Sequence, residues 1–226
     1  MGFRRVALWT PTSDADVELL MARLHEMQPT RIGKSRMQTI LHHRRPPVVK
    51  DATAGGPAPL AKPAEAANFI FSVFRMNHGV QKLPSCWLVA DGASLECTME
   101  MVHVLERTHM FLSNREKRLT LHTGESGEVF SVGDFGVNVA TLYFNRTLCK
   151  ERFLEIEYRG ASTYAQAQPM LDAFLQHLGG SDFPNLAFVP FPELKPATGA
   201  PETTDRDRLG LQYVRLFDVI DKSSSQ

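Results

Sequence analysis

The stretch from Glu128 to Tyr158 limits the possible folds more than any other part of the chain. Val, Phe and Tyr dominate it, and such side chains suit a pleated, half-buried surface. Strand alternation puts Phe153, Glu155 and Glu157 on one face and Arg152, Leu154, Ile156 and Tyr158 on the other. Upstream, Phe135, Val137, Val139, Thr141 and Tyr143 share a face. Gly133 and Gly136 mark a bulge or a sharp bend. The pattern predicts a long bent strand folding back on its neighbour, at the centre of an antiparallel sheet or barrel.

The flanking chain supplies partners for that sheet. Arg4 to Trp9 reads as a first strand, ended by Pro11. Ser13 caps a helix, with Asp16 three residues on closing a short capping box. Val17, Leu20, Met21, Leu24 and Met27 form its apolar stripe. Strands are expected over 36–45, 68–76, 85–90, 93–97 and 117–122, the third and fourth joined at Asp91-Gly92, a strong hairpin signal. A helix is expected from Thr98, another with Pro169 at its first position, and a last one over 209–220. Residues 46–66 carry many Pro, Gly and Ala and too little apolar side chain to offset ordering entropy; they read as a disordered insert within one domain spanning 1–226. Residues 181–208 read as an irregular Pro-rich segment before the C-terminal helix. The economical architecture is α+β: one curved antiparallel sheet forming an incomplete β-barrel, with flanking helices.

Composition sets bounds on function. The chain has 226 residues, 43% of them hydrophobic, which suits one good-sized core. Lys and Arg balance Asp and Glu, so the net charge is zero. A direct nucleic-acid binder needs a basic excess to neutralise phosphates. Cys86, Cys97 and Cys149 are too few and scattered for a disulfide framework, and a reducing compartment follows. No apolar run approaches the ~20 residues of a membrane helix, and no signal-peptide core is expected at the start.

The sharpest enzymatic pattern is Glu155-Ile-Glu157-Tyr-Arg159. Two carboxylates on one face of a barrel strand, with a cation, can hold Mg²⁺ or Mn²⁺ against a triphosphate. The pattern resembles the acidic strand of triphosphate tunnel enzymes, with Arg for Lys. Those enzymes need a second acidic strand, and none is found; a charged strand edge is the ordinary alternative. Asp134-Phe-Gly136 copies a kinase triplet without the other kinase motifs. His42, His43, His103 and His109 lack metal-ligand spacing. His42-His43-Arg44-Arg45 is a small basic cluster that suits a solvated strand end. No catalytic, cofactor or metal residue is assigned.

Six stretches occur in an order that resembles one family. They are Phe69-Ile-Phe-Ser-Val-Phe-Arg-Met-Asn77, Leu83-Pro-Ser-Cys-Trp-Leu-Val89, Asp134-Phe-Gly-Val-Asn-Val-Ala140, Phe153-Leu-Glu-Ile-Glu-Tyr158, 171–179 and Leu211-Gln-Tyr-Val-Arg-Leu-Phe217. Together they resemble Mediator subunit twenty, the TRF-proximal protein. The resemblance implies a nuclear, non-enzymatic head-module subunit of the RNA polymerase II coactivator, built as an incomplete β-barrel with helices. It implies pairing with the related barrel of subunit eighteen, tethered by the C-terminal helix of subunit eight. The alternative is a metal-dependent triphosphate hydrolase using Glu155 and Glu157. Large aromatics serve as interface anchors, and Trp87, Tyr213 and Phe217 are the candidates.

Overall fold

The computed structural model describes residues 2–43, 69–78, 85–90, 93–98, 100–101, 104, 119–124, 127–190 and 205–224. Their elements are β1 (Phe3–Trp9), α1 (Asp14–Glu26), β2 (Thr30–His43), β3 (Phe69–His78), β4 (Ser85–Ala90), β5 (Ala93–Cys97), β6 (Leu119–His122), β7 (Gly127–Val132), β8 (Phe135–Phe144), β9 (Thr147–Tyr158), α2 (Tyr164–Gly179), β10 (Ala187–Phe188) and α3 (Asp205–Ser224). The insert expected at 46–66, the Asp91-Gly92 turn, most of the helix expected from Thr98, and 191–204 lie outside the described residues.

All ten described strands join one antiparallel sheet in the order β10-β1-β9-β8-β6-β2-β3-β4-β5, with β7 pairing β2 and β8. Among the described residues the sheet is partly ringed and does not close. The long bent strand expected across Gly133 is instead a hairpin of β7 and β8. Gly133 has φ +54°, a conformation open to glycine that suits a two-residue reversal. Thus the bend goes all the way round.

β2 carries one irregular part of the sheet, and the β8–β9 pairing another between Thr141 and Tyr143. The first half of β2 pairs with β7 and its second half with β6, with a register shift between Arg31 and Gly33. The ladder would break where β6 ends. Buried Thr123 fills the gap: its N–H donates to the Met37 carbonyl at 3.0 Å, and its hydroxyl accepts from the Met37 N–H at 2.9 Å. Beside it, Ser35 Oγ donates to Asn138 Oδ1 at 2.6 Å, and both residues are buried. Gly127 makes room for this crossing, since a Cβ there would lie 2.5 Å from the Ser35 carbonyl oxygen.

Helices cover both faces. α1 starts at Ser13 as expected, with the reciprocal capping box to Asp16. Hydrogen bonds from Thr12 hold the Asp16 carboxyl below the usual carboxylate range. Leu20 and Leu24 of α1 join Leu171, Phe174, Leu175 and Leu178 of α2, and Val137, Leu154 and Ile156 of the sheet, in one apolar layer. α2 begins five residues before Pro169, capped by Thr163. The proline therefore sits inside the helix, at an exposed position where the carbonyl it leaves unpaired can meet water.

On the other face, α3 lies in the hollow of the sheet. Val6 of β1, Met37 and Leu41 of β2, Trp87 and Val89 of β4, Leu121 of β6, Leu142 of β8 and Phe153 of β9 surround Leu209, Tyr213, Leu216, Phe217 and Ile220. Strands from both ends of the sheet order thus bury side chains against one helix. Gly210 brings α3 close to β4 and β5: a Cβ there would meet Ser94 Oγ at 2.5 Å and Trp87 Cγ at 2.9 Å.

Gly210→Ala sets helix propensity against this close approach. The propensity gain is about 1 kcal/mol, and overpacking costs about 1–3 kcal/mol. A lower urea midpoint and altered Trp87 fluorescence are expected; a raised midpoint with an unchanged spectrum contradicts the packing described.

Candidate functional site

Register builds the site. β9 pairs with β1 so that Glu157 opposes Arg4 and Glu155 opposes Val6. Alternation then turns Phe153, Glu155 and Glu157 towards the hollow, while Leu154 and Ile156 face α1 and α2. Strand periodicity had placed these two sets on opposite faces.

Glu155 is 3% exposed. Its Oε2 accepts a short hydrogen bond from the Tyr213 hydroxyl, and its Oε1 lies 3.8 Å from Arg4 Nε. Glu157 is less buried. Its Oε1 is 2.9 Å from Arg4 Nη2 and its Oε2 is 3.4 Å from Arg159 Nε. Arg159 Nη1 also donates to Ser131 Oγ at 3.1 Å. Two carboxylates and two guanidinium groups therefore balance each other at the end of β9. A buried carboxylate is tolerated only when paired and hydrogen-bonded, and Arg4 with Tyr213 meets that need for Glu155.

This arrangement bears on the metal pattern. The carboxylate oxygens aimed into the hollow are engaged by Tyr213, Arg4 and Arg159. No third acidic or His/Cys ligand joins them: no group of three such residues suited to a metal ion occurs among the described residues. The site as built is a polar strut between β9, β1 and α3.

A second strut lies nearby. Gln212 is fully buried; its Oε1 accepts from the Val6 N–H at 3.1 Å, and its Nε2 donates to the Val189 carbonyl at 3.1 Å. The Val189 N–H donates in turn to the Val6 carbonyl at 2.8 Å. The helix thus satisfies backbone groups that β10, only two residues long, does not reach. Arg4 and Gln212 escaped the sequence reading. Gln212 carried a signal: a polar residue flanked by Leu209, Leu211, Tyr213 and Val214. Arg4 carried none, because its partner lies more than a hundred residues away.

Trp87, Tyr213 and Phe217 lie inside the chain, each at most 2% exposed. Trp87 and Tyr213 rings stand 6.0 Å apart, Phe153 stacks on Tyr213 at 6.2 Å, and Phe144 meets Phe217 edge-on at 5.5 Å. In this chain they anchor α3 to the sheet.

A family model described as "TATA-binding related factor (TRF) of subunit 20 of Mediator complex" matches residues 1–218. The chain belongs to the Mediator subunit 20 family. Its members are Mediator subunits that act in transcription regulation as part of a coactivator, associate with other Mediator subunits, and are generally nuclear and non-enzymatic. No curated protein matches the chain. Among solved structures, the PH1012 protein from Pyrococcus horikoshii OT3 is similar at 8% identity and a TM-score of 0.38, over 83% of this chain and 94% of that one. A likeness so low carries no conclusion about this chain. Within the family, the α3 segment quoted for the resemblance is the same one that places Gln212, Tyr213 and Phe217 in the hollow.

Removing the Tyr213 hydroxyl leaves the buried carboxylate short of a donor. Tyr213→Phe is expected to lower unfolding free energy by about 1.5–3 kcal/mol, the range for hydrogen bonds to charged groups. A double-mutant cycle with Glu155→Gln in urea should show clear coupling; strictly additive effects would contradict the strut.

Proposed function

We propose that the chain is a non-enzymatic scaffold of the Mediator head module. It docks on the related barrel of subunit 18, and the C-terminal helix of subunit 8 tethers the pair. The observation that supports this reading is the filled hollow. A tunnel enzyme needs its interior open for a triphosphate, whereas here α3 occupies the space and Tyr213 sits on Glu155. What remains for work is the outer surface and the edges of the sheet.

Interface burial is the mechanism. A stable, specific contact buries ~1,600 Å² in total, with a few aromatic anchors giving most of the affinity. Trp87, Tyr213 and Phe217 act indirectly: they fix α3, and α3 fixes both ends of the sheet that a partner meets. Zero net charge accords with contacts to protein rather than to nucleic acid. The site of action is the nucleus.

Co-expression with subunit 18 tests the reading. Co-purification as a stoichiometric complex is expected, with added subunit 8 C-terminal helix joining it. Two separate soluble monomers would contradict it. The hydrolase alternative predicts Mn²⁺-dependent phosphate release from a nucleoside triphosphate, lost in Glu155→Gln; the scaffold reading predicts no release from the parent chain.

A further inference from the structure

Antiparallel pairing places Cys86 of β4 directly opposite Cys97 of β5. Directly opposed residues in such a pair have Cα atoms about 4.5–5.5 Å apart. That separation falls within the ~4.4–6.8 Å window of a disulfide. The two thiols also share a face. Trp87 and Val89 point towards α3, so Cys86 lies on the opposite face of β4, and register carries Cys97 to the same side. Both are present as thiols, Cys86 buried and Cys97 half-buried. Sequence spacing alone gave no reason to pair them, because the relationship comes from the hairpin register.

We propose that Cys86 and Cys97 form a reversible cross-strand disulfide, a redox staple fastening edge strand β5 to β4. The co-reactant is a low-molecular-weight disulfide such as glutathione disulfide. The half-exposed Cys97 loses its proton and attacks one glutathione sulfur, giving a mixed disulfide and one glutathione thiolate. Cys86, deprotonated in turn, attacks the Cys97 sulfur. The protein disulfide forms, and the second glutathione leaves as thiolate. Both thiolates take up the two protons released, so the protein loses two hydrogens and one glutathione disulfide becomes two glutathiones.

The surroundings hold both thiols towards the protonated form, so exchange runs slowly at neutral pH. Burial, with the neighbouring Cys97 and Glu100 adding to it, pushes the Cys86 thiol up to about 12. Burial and Glu96 push the Cys97 thiol up as well. Exchange with glutathione disulfide proceeds through the small thiolate fraction of each group and quickens as pH rises. The crosslink has a mechanical consequence. β5 packs on α3 and ends at Cys97, next to Thr98, whose Oγ1 accepts from the Met101 N–H at 3.4 Å. Joining Cys97 to β4 fixes the strand end from which the chain leaves the sheet.

Native, reduced full-length chain equilibrated with glutathione disulfide, then alkylated and mapped by mass spectrometry, tests the proposal. The expected product has lost two hydrogens, joins the Cys86 and Cys97 peptides, leaves Cys149 alkylated, and is reversed by dithiothreitol. Cys149→Ser should give the same crosslink. Cys86→Ser should stop at glutathione on Cys97. A parent chain that stays glutathionylated at Cys97, or forms the Cys86–Cys97 link only in urea, overturns it.

Discussion

The Tyr213 hydroxyl bound to Glu155 joins the C-terminal helix to the middle of the β1–β9 pairing. Glu155 sits on β9, between β1 and β8, deep enough that its charge must be met inside the protein. Arg4 meets part of it from β1, and Tyr213 meets the rest from α3. Removing one member leaves a buried carboxylate short of partners, which is far more costly than never having buried it. The strut therefore sets where α3 can sit, and Gln212 sets its rotation by satisfying Val6 and Val189.

A sheet of this size has a closure problem at its two ends. Strand-on-strand closure would satisfy both edges, yet β10 covers only Ala7 and Leu8 of β1, and β5 ends the order on the other side. α3 supplies a different solution. It packs on β1 and on β2 to β5, so a single helix spans what a closing strand pair would. Gly210 lets it approach Trp87 and Ser94 closely enough to do so. Among the described residues the sheet stays open, and α3 packs against strands near both of its ends. The same packing engages the carboxylates of Glu155 and Glu157 in contacts with Tyr213, Arg4 and Arg159.

Much of this was legible in the chain, for local reasons. The capping box at Ser13, the β4 and β5 boundaries and the alternation of β9 depend on neighbours within a few residues, and the structure bears them out. So does the α+β class with its curved, unclosed antiparallel sheet. Where sequence reading went astray, a nearby signal had more than one solution. Gly133 announced a bend, and whether a bend or a full reversal depends on pairing with β2. Pro169 suggested a helix start, while Thr163 offered a better cap six residues earlier. The partners of Glu155 were out of reach, since Arg4 and Tyr213 come from opposite ends of the chain. The family resemblance, carried by six ordered stretches rather than by a catalytic motif, is matched by a family model over residues 1–218.

If the helix is the element that holds the sheet in its ringed shape, it cannot leave while the sheet stays folded. Native-state hydrogen exchange measures this directly. The account predicts that amides of α3 between Leu209 and Ile220 exchange only through the same global opening as the amides of β9, with matching free energies and the same denaturant dependence. Exchange of α3 through a separate, cheaper opening, with β9 still protected, would show that the sheet holds its shape unaided and would contradict the account.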